Sequence, residues 1–429
     1  MSVRRRAVVA GALAILLLAS VTGRAAPAHA AMAVPQALDA SQFRLTQDYT
    51  GLEPAADALD TALAGQKRTV AQVMDAANRT RQPLCNSSAY SALSSRSAPI
   101  GFCWGGTTDT SDGDDTTTEW YPQGLTTTRD ATGDQYDGHQ LMAVSWYFRG
   151  VGGVDGQGPL KGDRLSLVDW DADHANTYRH LELVEPYLRS DGTPDYKPLL
   201  SGSGSSLRSV HAGGIAWYGN LLYVADTWYG LRVFDMSRIY EVSTADSSLW
   251  GRQSDGSYDA YGYRYVIPQV AAVRPEQLTV TSIRFSTVSV DRTSTTSPSL
   301  LVGESADDAT EAQTRARVIR FPLDPASGRL VESSGTVTAT EAYHTGLVMM
   351  QGTTARDGRF WFATAASGNN PGRLYYWVRG TATVHDYAWA VEPESLSYWP
   401  DPAKPDYLWT LTERAGDRVV VGVPQADWN

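Results

Sequence analysis

Between residues 122 and 429 apolar and polar residues alternate in short runs separated by glycine-bearing turns, and this period of two predicts β-strands. The pattern is clearest from His211 to Ile239, HAGGIAWYGNLLYVADTWYGLRVFDMSRI. Leu222, Val224, Leu231, Val233 and Ile239 alternate within two runs rich in β-branched and aromatic residues, as expected where one strand face is buried. Tyr218-Gly219-Asn220 and Asp226 to Gly230 break the runs with glycine where a tight turn needs positive φ, so each junction reads as a hairpin.

The unit recurs in degraded form. Blade-opening motifs stand at Pro122-Gln123-Gly124-Leu125, His211 to Ile215, Phe285 to Ser289, Met350-Gln351-Gly352-Thr353 and Pro393 to Ser397. Each precedes an apolar strand: Leu141 to Tyr147, Leu221 to Asp226, Leu300 to Glu304, Phe360 to Ala365 and Leu408 to Glu413. A strand opening on an arginine follows each, at Arg164, Arg232, Arg317, Arg373 and Arg418. The unit G-I-A-W-x-G-N-L-L-Y-V-A-D … G-L-R-V-F-D resembles the NHL and LVIVD repeats of secreted and periplasmic β-propellers, in which three such strands and an outer fourth make a blade. That resemblance implies an all-β propeller and, since those families share no single activity, no catalytic residue. Five repeats predict five blades, or six if residues 85 to 121 hold another. Outer strands are expected at Tyr178 to Val184, Tyr263 to Ile267, Val337 to Tyr343 and Thr383 to Ala390. The last repeat lacks one, and Gln42 to Thr46 is the segment expected to supply it and cover the sheet edge.

Ahead of the repeats the pattern changes. Residues 1–30 carry Arg4-Arg5-Arg6, an apolar run from Ala7 to Leu18 and Ala28-His29-Ala30, which reads as a secretory signal peptide and predicts an extracellular protein. Residues 31–121 are expected to hold the closing strand, a short helical elaboration and a disulfide loop. Ala55, Leu59, Ala62 and Leu63, then Val70, Val73, Met74 and Ala77, have helical spacing, with a break near Gly65. Cys85 and Cys103 are the only cysteines, and an even pair in an exported chain predicts one structural disulfide.

Charge narrows the partners. The formal net charge is −11, and losing the four arginines of the first thirty residues makes the chain more acidic still. An acidic protein without a basic face is a poor fit to nucleic acid, and no second apolar run is long enough to span a membrane. A monomer that binds an extracellular small molecule or glycan is expected, and the Arg- and Ala-rich, Lys-poor composition suits a bacterial source.

In a propeller the blade openings converge on the axis. Gln123, His211, Ser286, Gln351 and Glu394 then form a polar ring able to bind a polar ligand or, through oxygen atoms, Ca²⁺; a water-filled plug is the alternative. Trp228 and Tyr229, in an inter-strand turn, are candidates to stack on sugar rings, as are Tyr398 and Trp399. If the protein is an enzyme, a hydrolase or lyase, His211 and Glu394 are the acid–base pair. Asp109, Asp112, Asp114, Asp115 and Glu119 form an acidic loop that is a further cation candidate, whereas Asp169-Trp170-Asp171-Ala172-Asp173 lacks the Gly and Glu of a Ca²⁺ loop and reads as a turn. No G-x-S-x-G or H-E-x-x-H motif is present. A protein-interaction scaffold is the third reading.

Overall fold

The computed structural model describes residues 32–105, 113–154, 156–171, 176–276 and 283–429. The signal-peptide reading of residues 1–30, Asp109, Asp112 and the end of the Asp169 to Asp173 turn lie outside them.

β-Structure predominates, in sets of antiparallel strands, and the outer strands of the first two sets also pair in parallel, Glu182–Val184 with Val266–Pro268. The first sheet holds Trp120–Thr127, Leu141–Phe148, Asp163–Asp169 and Thr177–Leu188. The second holds Ile215–Tyr218, Leu221–Asp226, Gly230–Asp235 and Tyr265–Pro275. The third holds Thr287–Asp291, Ser299–Gly303, Arg317–Pro322 and Glu341–His344. Met350–Arg356, Arg359–Thr364, Pro371–Val378 and Val384–Val391 make the fourth. The fifth begins with Pro393–Trp399, Tyr407–Thr412 and Val419–Pro424. These strands overlap the expected runs, except that the outer strand of the third sheet is Glu341–His344, while Val337–Thr338, the start of the segment expected there, pairs with Arg44 and Leu45.

The opening strand of each sheet packs beside that of the next, and the fifth returns to the first, which gives a nearly closed, propeller-like arrangement. Alternation explains the stacking, because successive side chains of one strand enter different cores. Leu300 joins Tyr223 and Val288 between the second and third sheets, while Leu301 joins Phe360 and Phe362 between the third and fourth. A separate core joins the fifth sheet to the first, with Trp409 and Val420 against Val144 and Trp146.

The glycines of the opening motifs have a steric cause. A Cβ on Gly124 would lie 2.7 Å from the Ile215 nitrogen, and one on Gly214 would lie 2.3 Å from that of Val288. The innermost strands thus approach backbone to backbone, and only glycine fits between them.

Two expectations are corrected. The fourth strand of the fifth sheet is Ile100–Cys103, paired with Val419–Gly422 and followed by Gln82–Pro83, and not Gln42 to Thr46. Arg44–Asp48 instead lies along the outer strand of the second sheet, Leu45 opposite Pro275, and also pairs with Val337–Thr338. Burial separates the two segments. Phe102 and Cys103 point to opposite faces and are buried in two different cores, as a strand packed on both faces is, whereas Arg44–Asp48 buries only Leu45. Residues 85 to 121, where the alternative placed a sixth blade, contribute this strand, and no separate sheet forms among the described residues between 85 and 119.

The Cys85–Cys103 disulfide ties the strand to the segment before it. Helices at Glu53–Ala62 and Val70–Asp75 cover the outer edges of the first two sheets, the second opened by a Thr69/Gln72 capping box. No helix of the described residues is long and apolar enough to cross a membrane.

Candidate functional site

The starts of the opening strands and the ends of the second strands meet on one face of the ring. There His211, Ser286 and Gln351, from three different sheets, line one cavity of about 350 Å³ with Trp228. The other two residues of the expected ring, Gln123 and Glu394, do not line it.

The turn after Leu221–Asp226 sets the wall. Gly230 adopts φ +117°, and a Cβ there would meet the Val273 carbonyl oxygen at 1.8 Å, so the turn requires glycine. This tight return pushes Trp228 and Tyr229 outward, 48% and 44% exposed. Arg284 lies over the Trp228 ring, 4.4 Å from its centroid, and is held by Glu311 and Asp307. The indole therefore stands on an anchored cation while half its surface remains open.

Polar groups with capacity to spare surround it. Asp226 is buried, tied to Arg232 at 2.8 Å and to the Ser201 hydroxyl at 2.9 Å. The Ser286 hydroxyl accepts from the Ser305 N–H at 3.0 Å and keeps its own proton for another acceptor. Ser209, also on the wall, buries its hydroxyl without a hydrogen-bond partner. His211 stands in the mouth of the cavity, reached by solvent but crowded by its neighbours. Desolvation by the crowded surroundings, and then the charge of Arg208, lowers the pKa of its ring, which favours the neutral form as donor and acceptor.

Gln123 and Glu394 lie in a neighbouring acidic cluster. Gln123 donates to Glu413 at 2.6 Å and leaves its carbonyl buried without a partner. Burial, and then the charge of Glu392, pushes Glu413 up to about 7. Burial, and then Glu413 and Glu392, pushes Glu394, 3% exposed, well above the carboxylate range. Glu394 is thus a neutral acid outside the cavity that His211 lines, so the cavity does not bring the expected acid–base pair together.

The acidic loop is not an open cation site at its described residues. Asp114, 3% exposed, receives Arg79 and Arg164, each at 2.9 Å, as well as the Tyr178 hydroxyl. Asp115 accepts the Arg418 N–H, and Glu119 pairs with Lys161 at 3.1 Å. Guanidinium and ammonium groups stand where a metal ion would have to. Tyr398 and Trp399 are corrected too, because both are buried in the fifth sheet and offer no open ring. Asp169 and Asp171 bring ligand atoms within 4.8 Å of one another and of His139, but they also cap the turn: Asp169 accepts the Asp171 N–H, and Asp171 that of Gln140.

One chain of hydrogen bonds was not legible in the sequence. Trp146 Nε1 donates to Ser166 Oγ at 2.8 Å, Ser166 Oγ lies 2.8 Å from His180 Nδ1, and His180 Nε2 lies 3.1 Å from Asp114. Because the carboxylate only accepts, Nε2 carries the proton and Nδ1 accepts from serine. The order Ser-His-Asp resembles a charge relay but cannot act as one. Ser166 Oγ is buried under Trp146, and burial, then Arg164, pulls His180 down to about 3. Burial alone would raise Asp114; His180, Arg164 and Arg79 hold it well below the usual range, and with His180 neutral the arginines act at ordinary pH.

No protein-family model matches the chain, and no curated protein matches it. Among solved structures it is similar to hydrazine synthase of Kuenenia stuttgartiensis, at 12% identity and a TM-score of 0.30, over 75% of this chain and 90% of that one. It is also similar to the computationally designed Ika8 protein, at 8% identity and a TM-score of 0.24, over 72% of this chain and 98% of that one. Likeness at this level carries no argument about either fold or activity.

Proposed function

We propose that the protein is a secreted five-bladed propeller, built from NHL- or LVIVD-like repeats, that binds a hydroxyl-rich extracellular ligand, a glycan or similar small polar molecule, in the cavity lined by Trp228, His211, Ser286 and Gln351. The observation that carries this reading is the convergence of polar groups from three sheets on a half-exposed indole. An aromatic face with neutral donors and acceptors beside it suits a sugar, which presents apolar C–H faces and hydroxyl edges. The five-blade count is supported by four-strand sets whose opening strands follow one another around the axis. Secretion is supported by the disulfide, since such bonds persist in oxidising compartments.

Binding rather than turnover is favoured because Glu394 stands apart from His211's cavity. Calorimetric titration with neutral oligosaccharides tests the reading. Trp228→Ala should weaken binding by about 2 kcal/mol, roughly thirtyfold, as loss of an aromatic anchor does. Glu394→Gln should leave it unchanged.

A further inference from the structure

A second and larger cavity lies away from the axis, on the outer side of the first sheet. Its volume is about 570 Å³, within the range of small-molecule sites. Its charge is opposite to that of the chain. Arg79, Lys161, Arg164, Arg179 and Arg264 line it, against two described carboxylates, Asp114 and Glu119, in a protein of net charge −11.

The cations are fixed in place. Arg79 and Arg164 share the carboxylate of Asp114, so among the described residues that centre keeps a net positive charge. Arg164 also leaves its buried Nε–H without a partner. Glu182, opposite Arg164 on the next strand, does not cancel the excess: both its oxygens are buried without partners, and burial pushes it well above the carboxylate range. Lys161 bridges Glu119 and lies 5.4 Å from the Tyr261 ring centroid. Arg264, at the rim, pairs with Glu241 at 2.7 Å and keeps 44% of its side chain exposed.

We propose that this cavity is a site for an acidic sugar, a uronate residue of an anionic glycan, distinct from the axial cavity. The mixture of groups selects that class. A cationic wall attracts one carboxylate, while Glu119, Asn78 and Thr117 offer hydrogen-bonding groups that suit the hydroxyls of a sugar. Inorganic phosphate brings charge but no apolar ring face to lie against the aromatic wall and no row of hydroxyls to reach these groups together. Trp120, Tyr261 and Tyr263 supply the apolar wall against which a sugar ring lies. An anion entering here also meets a local positive field set in an otherwise acidic surface, which favours its capture at low salt.

The test is calorimetric titration of the full chain with tetragalacturonate, with maltotetraose of equal length and inorganic phosphate as competitors. The probe should bind the native protein, bind at least tenfold more weakly to Arg264→Gln and Lys161→Gln, and bind Trp228→Ala undiminished, with neither competitor displacing it. Melting curves matching the native protein show that the two charge variants are folded, and Tyr261→Ala provides a third variant that leaves every ion pair intact. The proposal is overturned if the native protein does not bind tetragalacturonate, if the charge variants bind it equally well, if maltotetraose binds as tightly, or if phosphate displaces it. Loss in Trp228→Ala alone would assign the acidic sugar to the axial cavity and also overturn it.

Discussion

Asp114 is the residue whose loss should cost most. It is buried and ionised, and it accepts from Arg79, Arg164, Tyr178 and His180, linking the loop before the first sheet to two of its strands and to the segment of Arg79. Asp114→Ala removes the acceptor and leaves the Arg164 guanidinium, 4% exposed, with an uncompensated charge. Breaking a buried pair by deleting one partner costs about 3–5 kcal/mol, more than the pair itself contributes, because the remaining charge stays desolvated. The pH dependence has a definite sign. A carboxyl held below its unfolded value contributes stability that is fully present above about pH 4 and is lost as pH falls through the lowered folded value. Urea unfolding of the native and Asp114→Ala proteins at pH 7 should differ by at least 3 kcal/mol, and the difference should shrink once the pH drops below about 4. A difference under about 1 kcal/mol at pH 7, or one that does not change at low pH, would refute the claim that this carboxylate holds the arginines.

Asp130 should behave in the opposite way: burial raises it to about 6, against the hydroxyls of Thr126 and Ser397 and the Thr127 N–H, all bonded to one oxygen. Its ionisation weakens the fold as pH rises from about 4 to 6, so Asp130→Asn, which keeps that acceptor, should gain up to about 3 kcal/mol at pH 8 and nothing at pH 4; a loss at pH 8 in urea titrations would contradict this. Cys85→Ser should lower stability by about 3 kcal/mol in the same assay, because the bond restrains the loop carrying the strand that completes the fifth sheet; an unchanged midpoint would show that strand to be held by pairing alone.

Local pattern made the strands legible and long-range chemistry hid the rest. The two-residue alternation of Leu222 and Val224, or of Val419 and Val421, reflects burial between sheets and can be read from one segment. The glycines at 124, 214 and 352 were visible as repeated letters, and their cause, backbone contact between innermost strands, is geometric. Ile100–Cys103 could not be assigned to the fifth sheet because its partner lies more than three hundred residues away, and a four-residue strand carries little period of its own. Asp114 read as a cation ligand because its arginines, Arg79 and Arg164, are distant in sequence. At the axial face the ring of five opening residues was a symmetric expectation. The observed cavity is one-sided, because the Trp228 turn and Arg284 build a wall between the second and third sheets, while Gln123 bonds to Glu413 and Glu394 lies near the same carboxyl, outside that cavity.

The most direct measurement is titration calorimetry of the native protein and Trp228→Ala against a panel of neutral oligosaccharides. Saturable binding of a panel member by the native protein, weakened roughly thirtyfold by the substitution, is the expected result. Absence of binding across the panel, or equal affinity in Trp228→Ala, would contradict a ligand site built on that indole.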